Sequence, residues 1–404
     1  MAAGLVVGGV AAWLSKPTTI VEKTITMEKT ITQTITPTVS PAVTQTVTVT
    51  ATAPQELPWI GDYLSAPWDP GWTQWPRKNP PYRLGITVPW TGNPWRRMQA
   101  VETNVFLKAL KEAGWVEDWR VLDAGGDVLE QKRNIQELIE WGCDAMIIDP
   151  VRGEALIEDI ERVTDMGIFT GLCVEAPDPY PYGKLKKFGT IHQTNYYKSG
   201  YLQAKFVAET LIRKHPREKR KVCVLRGIPG APSAIQRWEG AVHALEEYKD
   251  QGVQYIGIDT EWSIPKTREM VADVIARDPN FRGFISQGGG IAAMVPLAFE
   301  EAGLNPSEIV VTEEDFVIII KEQRQYKFDL LIVCNPQTQQ LYLIWEMIKC
   351  LHGMPARKIN YFDPPIFTPE QLYKAYEDIF DELPDYAMLM TPLNPEQLKA
   401  FLRE

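Results

Sequence analysis

The chain has 404 residues, 45% of them hydrophobic and 23% charged, enough for about two globular domains with cores that need no covalent staples. A net charge of -10 speaks against a nucleic-acid binder, which would be basic, and four histidines speak against a histidine-rich metal site. Five scattered cysteines with no C-x-x-C pair, four of them in or beside apolar runs, read as buried free thiols rather than a disulfide framework.

In chain order, residues 1–17 open with "MAAGLVVGGVAAWLSK". The first 14 carry no charge but fall short of the roughly 20 apolar residues of a spanning helix, and no basic n-region precedes them. A hydrophobic anchor or export segment is expected here, in preference to a buried helix of the fold, because the adjoining Thr-rich stretch cannot itself bury a core. That stretch, residues 18–52, sets Thr on alternate positions with Val and Ile between, a low-complexity pattern with no helical period. It reads as a Thr-rich extended stalk between a membrane and a folded body. The alternative is a strand, since alternating β-branched residues also favour pairing with a second copy and assembly into a filament or lattice. Either reading puts the protein outside the cytoplasm. Residues 53–81 are rich in Pro and Trp and are expected to form an irregular linker whose aromatics lie on the body.

From Tyr82 short apolar runs alternate with amphipathic stretches of ten to eighteen residues. The runs include "YRLGITV", "DAMIID", "GIFTGLCV", "KVCVLRG", "FRGFISQ" and "FDLLIVCNP"; the stretches between them often end at Gly, a helix stop. This alternation predicts an α/β fold of parallel sheets covered by helices on both faces. About nine units exceed one sheet, so two doubly wound lobes of five or six strands are expected.

Ligands of such sheets sit beyond the carboxyl ends of the strands, which directs attention to the strand exits. These supply Trp90, Asn93, Trp95 and Arg96; Asp149 and Arg152; Glu175; Gln193; Ser233 and Gln236; Trp262; Gln287 and Gly288; Glu314; and Asn335. Planar amides and carboxylates make paired hydrogen bonds to vicinal hydroxyls, and aromatic faces pack on sugar C–H surfaces. The set suits a neutral polyhydroxylated ligand, with Trp90 and Trp95 as walls of a cleft.

The stretches "GNPW", "NIQELIEWGCDAMIIDP", "GIPGAPSAIQRWEGAVHALEEY", "FRGFISQGGGIAAMVPLAFEEAG" and the "NP" after "LLIVC" occur in an order and spacing that resembles the type 1 periplasmic solute-binding proteins of sugar ABC transporters, near the ribose-type branch. The resemblance runs from about Tyr82 to Tyr361. It implies ligand contacts at Asn93, Trp95, Arg96, Asp149, Glu175, Gln193, Trp262, Gly288, Glu314 and Asn335. It also implies a sugar-like solute, an ABC permease as partner, and two lobes closing about a hinge. The N-terminal lobe would comprise residues 82–193 plus 336–362. The C-terminal lobe and tail would comprise 194–335 plus 363–404. Where the family usually carries an Asp-Arg pair after the fourth strand this chain has Val174-Glu175, and an Arg expected in the Gly-Ser loop falls near Ile235, beside Gln236 and Arg237.

No catalytic constellation appears: G-x-S-x-G, H-E-x-x-H and a Walker sequence are all absent. "QGGGIAAM" lacks the G-K-[ST] of a phosphate loop. Glu313, Glu314 and Asp315 are weighed as calcium ligands or acid/base groups, and Glu175 with Glu314 as an opposed glycosidase pair; ligand acceptors are the preferred reading. No cofactor, no metal and no nucleic acid are expected, and the chain is read as a non-enzyme.

Overall fold

The computed structural model describes residues 71–180 and 183–394. The expected anchor (1–17), stalk or assembling strand (18–52) and most of the linker (53–81) lie outside the described residues, as does the last part of the tail. Among the described residues no helix is long and apolar enough to cross a membrane.

Two six-stranded sheets form the body. The first is built from β2 (Tyr82–Val88), β3 (Val116–Asp123), β4 (Ala145–Ile148), β5 (Phe169–Leu172), β6 (Thr190–Thr194) and β13 (Ile359–Phe362), in the order β13-β6-β5-β4-β2-β3. The second is built from β7 (Lys221–Arg226), β8 (Gln254–Asp259), β9 (Phe281–Ser286), β10 (Val310–Glu313), β11 (Asp329–Val333) and β14 (Ile366–Phe367), in the order β14-β11-β10-β9-β7-β8. All pairings within them are parallel except that of β14, which lies antiparallel on β11. In each lobe the first strand lies between the second and third, the doubly wound order, and the point where the winding reverses opens a crevice at the strand ends.

The helices that carry the site begin where their sequences say they should. Asn93 caps α1 (Pro94–Glu112), its side chain accepting from the Arg96 amide at 2.8 Å with Pro at the first position. Asp127 caps α2 (Val128–Trp141), which ends at the left-handed Gly142. After α3 (Ile157–Asp165) in the first lobe come α4 (Tyr196–Lys214), α5 (Pro232–Glu247), α6 (Ile264–Arg277), α7 (Met294–Glu301) and α8 (Val317–Tyr326) in the second. The chain then returns to cover β5 and β6 with α9 (Gln339–Leu351). It therefore passes between the lobes three times: at Asn195, in the stretch 334–338, and in 363–365.

One apolar cluster runs through both lobes, from Leu84, Ile86 and Met98 to Phe284, Val311 and Phe316, and takes in Met388, Leu389 and Leu393 of the tail. Two smaller clusters are confined to one lobe each. All five cysteines are buried and free.

Both ends of the described chain are fastened. Upstream, β1 (Trp72–Thr73) pairs antiparallel with β12 (Ala356–Arg357), Lys78 donates its amide to the Leu351 carbonyl at 2.8 Å, and Trp75 meets Phe169 edge-on with ring centroids 5.1 Å apart. This part of the linker does lay an aromatic on the body, all of it on the first lobe. Downstream, α10 (Pro369–Ala375) follows β14 with a capping box at Thr368 and Gln371. Residues 385–389 then run against 315–318, with Val317 donating to Ala387 at 2.9 Å and Ile318 to Asp385 at 2.7 Å. Thr391 finally donates to Glu102 of α1 at 2.6 Å, so a tail rooted on the second lobe ends on the first.

Candidate functional site

The two winding-reversal points face one another across a cleft with a free volume of about 140 Å³. At about 30 Å³ per water in the liquid, that is room for roughly five water molecules, or one small polyol. The first lobe contributes Trp90, Asn93, Trp95 and Arg96 after β2, Pro150 and Arg152 after β4, and Val174 and Glu175 after β5. The second contributes Ile228 to Ala231 after β7, Ser233 and Arg237 on α5, Trp262 after β8, Gln287 and Gly289 after β9, and Glu314 after β10. Asn335 enters from a lobe crossing.

The aromatic walls are held from behind. Trp95 is 4% exposed and donates its indole N–H to the Asn335 carbonyl at 2.7 Å, so it ties the first lobe to the crossing. Trp262 donates to the Gln287 carbonyl at 3.1 Å, and Gln287 in turn accepts from Gly227 and donates to Ala234. A Cβ on Gly227 would lie 2.2 Å from the Trp262 ring, so only glycine lets that indole lie flat on the strand end.

Charge in the cleft is paired. Arg96, 6% exposed, forms an ion pair with the fully buried Asp149 and lies 3.9 Å from Glu175. Arg237 donates to Glu314 at 3.0 Å, both side chains being 4% exposed. Glu314 also accepts from the Gly289 amide at 3.2 Å. Burial, opposed by the Arg237 charge, pushes the Glu314 carboxyl up to about 8. Burial pushes Asp149 to about 6 against the pull of Arg96. Asn335 is fixed by Thr194 at 2.8 Å and Gln339 at 3.2 Å, both on its side-chain oxygen, which aligns its amide.

Of the residues singled out from sequence, Trp90, Asn93, Trp95, Arg96, Glu175, Trp262, Glu314 and Asn335 come together in the lining. Asp149 lies directly behind, holding Arg96 and accepting from the Glu175 amide at 3.2 Å. Gln193 is 1% exposed at the first crossing, its amide without a hydrogen-bond partner, and is not part of the lining. Gly288 lies between the lining residues Gln287 and Gly289; a Cβ there would fall 2.3 Å from the Glu314 carboxylate, so its role is to admit that side chain. The three consecutive acids diverge. Glu313 accepts from Ser286 and Ala292, Glu314 faces the cleft, and Asp315 accepts from Met390 of the tail. Among the described residues no group of three or more His, Cys, Asp or Glu could hold a metal ion.

A family model for the periplasmic binding protein domain matches residues 84–353, two thirds of the chain. The chain belongs to the periplasmic binding protein family. Among curated proteins the binding protein is 26% identical over 174 residues to the ribose import binding protein of Bacillus subtilis (strain 168), covering 43% of this chain and 51% of that one. It is 23% identical over 196 residues to the D-ribose/D-allose-binding protein of Pseudomonas aeruginosa, covering 48% and 59%. The chain thus spans about half the length of the curated relatives it matches. Solved structures share the fold. One is an ABC transporter solute-binding protein of Actinobacillus succinogenes 130z with bound D-allose (TM-score 0.61, 20% identity, 72% of this chain and 99% of that one). Another is the Caulobacter myo-inositol binding protein bound to myo-inositol (TM-score 0.63, 15% identity, 74% and 97%). In these comparisons the chain is similar to the ribose-type branch of the type 1 periplasmic binding proteins.

Sequence reasoning left Arg237, Ser233, Gln287 and Arg152 outside the chosen set, although the last three were noted at strand exits. Arg237 had a signal: it lies four residues after Ser233, so once "PSAIQR" is a helix both share the face turned to the cleft. The arginine sought near Ile235 is supplied two positions later.

Proposed function

We propose that this binding protein captures one neutral, polyhydroxylated solute of monosaccharide or polyol size between its lobes and delivers it to an ABC permease outside the cytoplasm. The observation that carries the reading is the cleft itself. Three tryptophans and Asn93 line the cleft with two buried Arg–carboxylate pairs, Arg96 with Asp149 and Arg237 with Glu314. Aromatic faces suit C–H surfaces, and prepaired charges suit hydroxyls, which both donate and accept. The sugars and polyols bound by proteins of the same fold support this class of ligand. Residues 1–52 would tether the receptor to the membrane and hold it at a distance. The rival reading, assembly through residues 18–52, concerns residues outside those described.

A thermal-shift screen of the full chain against pentoses, hexoses, polyols, sugar acids and nucleosides tests the proposal. A ligand at 100 times its dissociation constant adds about 2.7 kcal/mol. A clear upward shift with a neutral sugar or polyol is expected. A shift with sugar acids alone, or with none of the compounds, would overturn the reading.

A further inference from the structure

Glu314 enters the cleft from the exit of β10, and the returning tail runs directly behind that exit. α8 starts two residues later, and its N-cap, Phe316, has no side-chain acceptor for the first amides of the helix. The tail provides the acceptors: the Ala387 carbonyl takes the Val317 amide at 2.9 Å, and the Asp385 carbonyl takes the Ile318 amide at 2.7 Å. In the other direction, the fully buried Asp315 accepts the Met390 amide on its carboxylate at 2.6 Å and the Leu389 amide on its carbonyl at 3.2 Å. Between these bonds Phe316 and Met388 form an antiparallel bridge.

Two more stretches of the lining meet the tail from behind. The Tyr386 ring stands edge-on to Phe316 with centroids 6.5 Å apart, and it also covers Gly290, where a Cβ would lie 3.3 Å from it. Gly290 ends the turn whose Gly289 amide donates to Glu314 at 3.2 Å. The Met388 sulfur accepts from the side-chain amide of Gln337, two residues beyond Asn335 in the crossing 334–338. Glu314, Gly289 and Asn335 all line the cleft, whereas no residue of 385–391 does. The tail also lies beyond residues 84–353, the part that the family model matches. Groups that recognise a solute must be held to within about 0.5 Å by neighbours whose own positions are fixed, and here those neighbours come from the tail.

We infer that residues 385–390 form the back wall of the solute site and that Tyr386 is a positioning residue for Glu314 and the 288–290 turn. The affinity of the cleft is then set in part by side chains that never touch the solute. The inference rests on the solute-binding reading of the cleft and adds a second layer to it.

Hydrogen–deuterium exchange of the ligand-free full chain tests the bracing without any solute. Tyr386→Ala is expected to speed exchange in 288–291 and 314–318 about tenfold, leaving the first-lobe exit at 93–96 unchanged. Tyr386→Phe, which keeps the ring, is expected to exchange as the wild type does. Calorimetric titration with D-allose and with myo-inositol gives the second readout. Tyr386→Ala should weaken whichever compound binds about fivefold, and the same change added to Glu314→Gln should cost little more. Unchanged exchange in Tyr386→Ala would overturn the back wall, as would faster exchange spread over both lobes or additive losses of affinity. If Tyr386→Ala fails to fold, Tyr386→Leu carries the same comparison. If neither compound binds, that result counts against the sugar reading alone, and the exchange measurement still decides the role of the tail.

Discussion

Asn93 shows how one side chain carries two duties. Its oxygen caps α1 while its amide faces the cleft, so Asn93→Ala should lose about 1 kcal/mol of stability as well as affinity. Asn93→Ser keeps the cap and is expected to fold normally while binding ligand about 1–2 kcal/mol more weakly, read by calorimetric titration beside a melting curve. Trp262→Ala should weaken binding by about 1–3 kcal/mol, and the melting temperature decides whether the loss is local, since the indole also braces Gln287. Equal affinities for wild type and both variants would remove these residues from the ligand's surroundings. The aromatic and amide residues were legible in sequence because strand ends mark them directly. Arg237 was not, because its contribution depends on where α5 begins, and a two-residue uncertainty at a helix start turns a side chain through more than half a circle.

At the level of elements, α1 and the returning tail meet at Glu102, which is 1% exposed and accepts from Thr391. Burial pushes its carboxyl from an ordinary value of 4.5 up to about 8, the Thr391 hydroxyl pulling the other way and Asp315 adding to the rise. Between those values the folded protein holds a proton that the unfolded chain has released, so this group lowers stability as pH rises through that window. Glu102→Gln should therefore be more stable than wild type by at least about 1 kcal/mol at pH 8, with the gap closing below pH 4.5; thermal melts across pH measure it. A constant gap would place the carboxyl in contact with solvent. The alternation of strands and helices was readable from Tyr82 onward because the inner strands are buried on both faces. The sheet strands that no apolar run marked, β3, β13 and β14, are all edges: in β3 only Val116 is buried, and "VEDWRVLD" shows no apolar run. The capping box at Thr368 is a local pattern, whereas the docking of the tail on α1 depends on a contact between residues 289 positions apart, which no local pattern encodes.

The whole molecule is two lobes that share one apolar cluster, from Leu84 in the first sheet through Phe284 and Val311 in the second to Leu389 in the tail. Losing either lobe strips the other of part of its core. Heat unfolding is expected as a single transition whose calorimetric and van't Hoff enthalpies agree; two resolved peaks would show the lobes to be independent. The fastening of the chain upstream of β2 has a mechanical consequence. Among the described residues upstream of β2, β1, Lys78 and Trp75 all attach to the first lobe. A pull applied at Trp72 is then taken up on the first lobe, away from the second. Protein immobilised on a surface through its first residues should close on ligand as it does in solution.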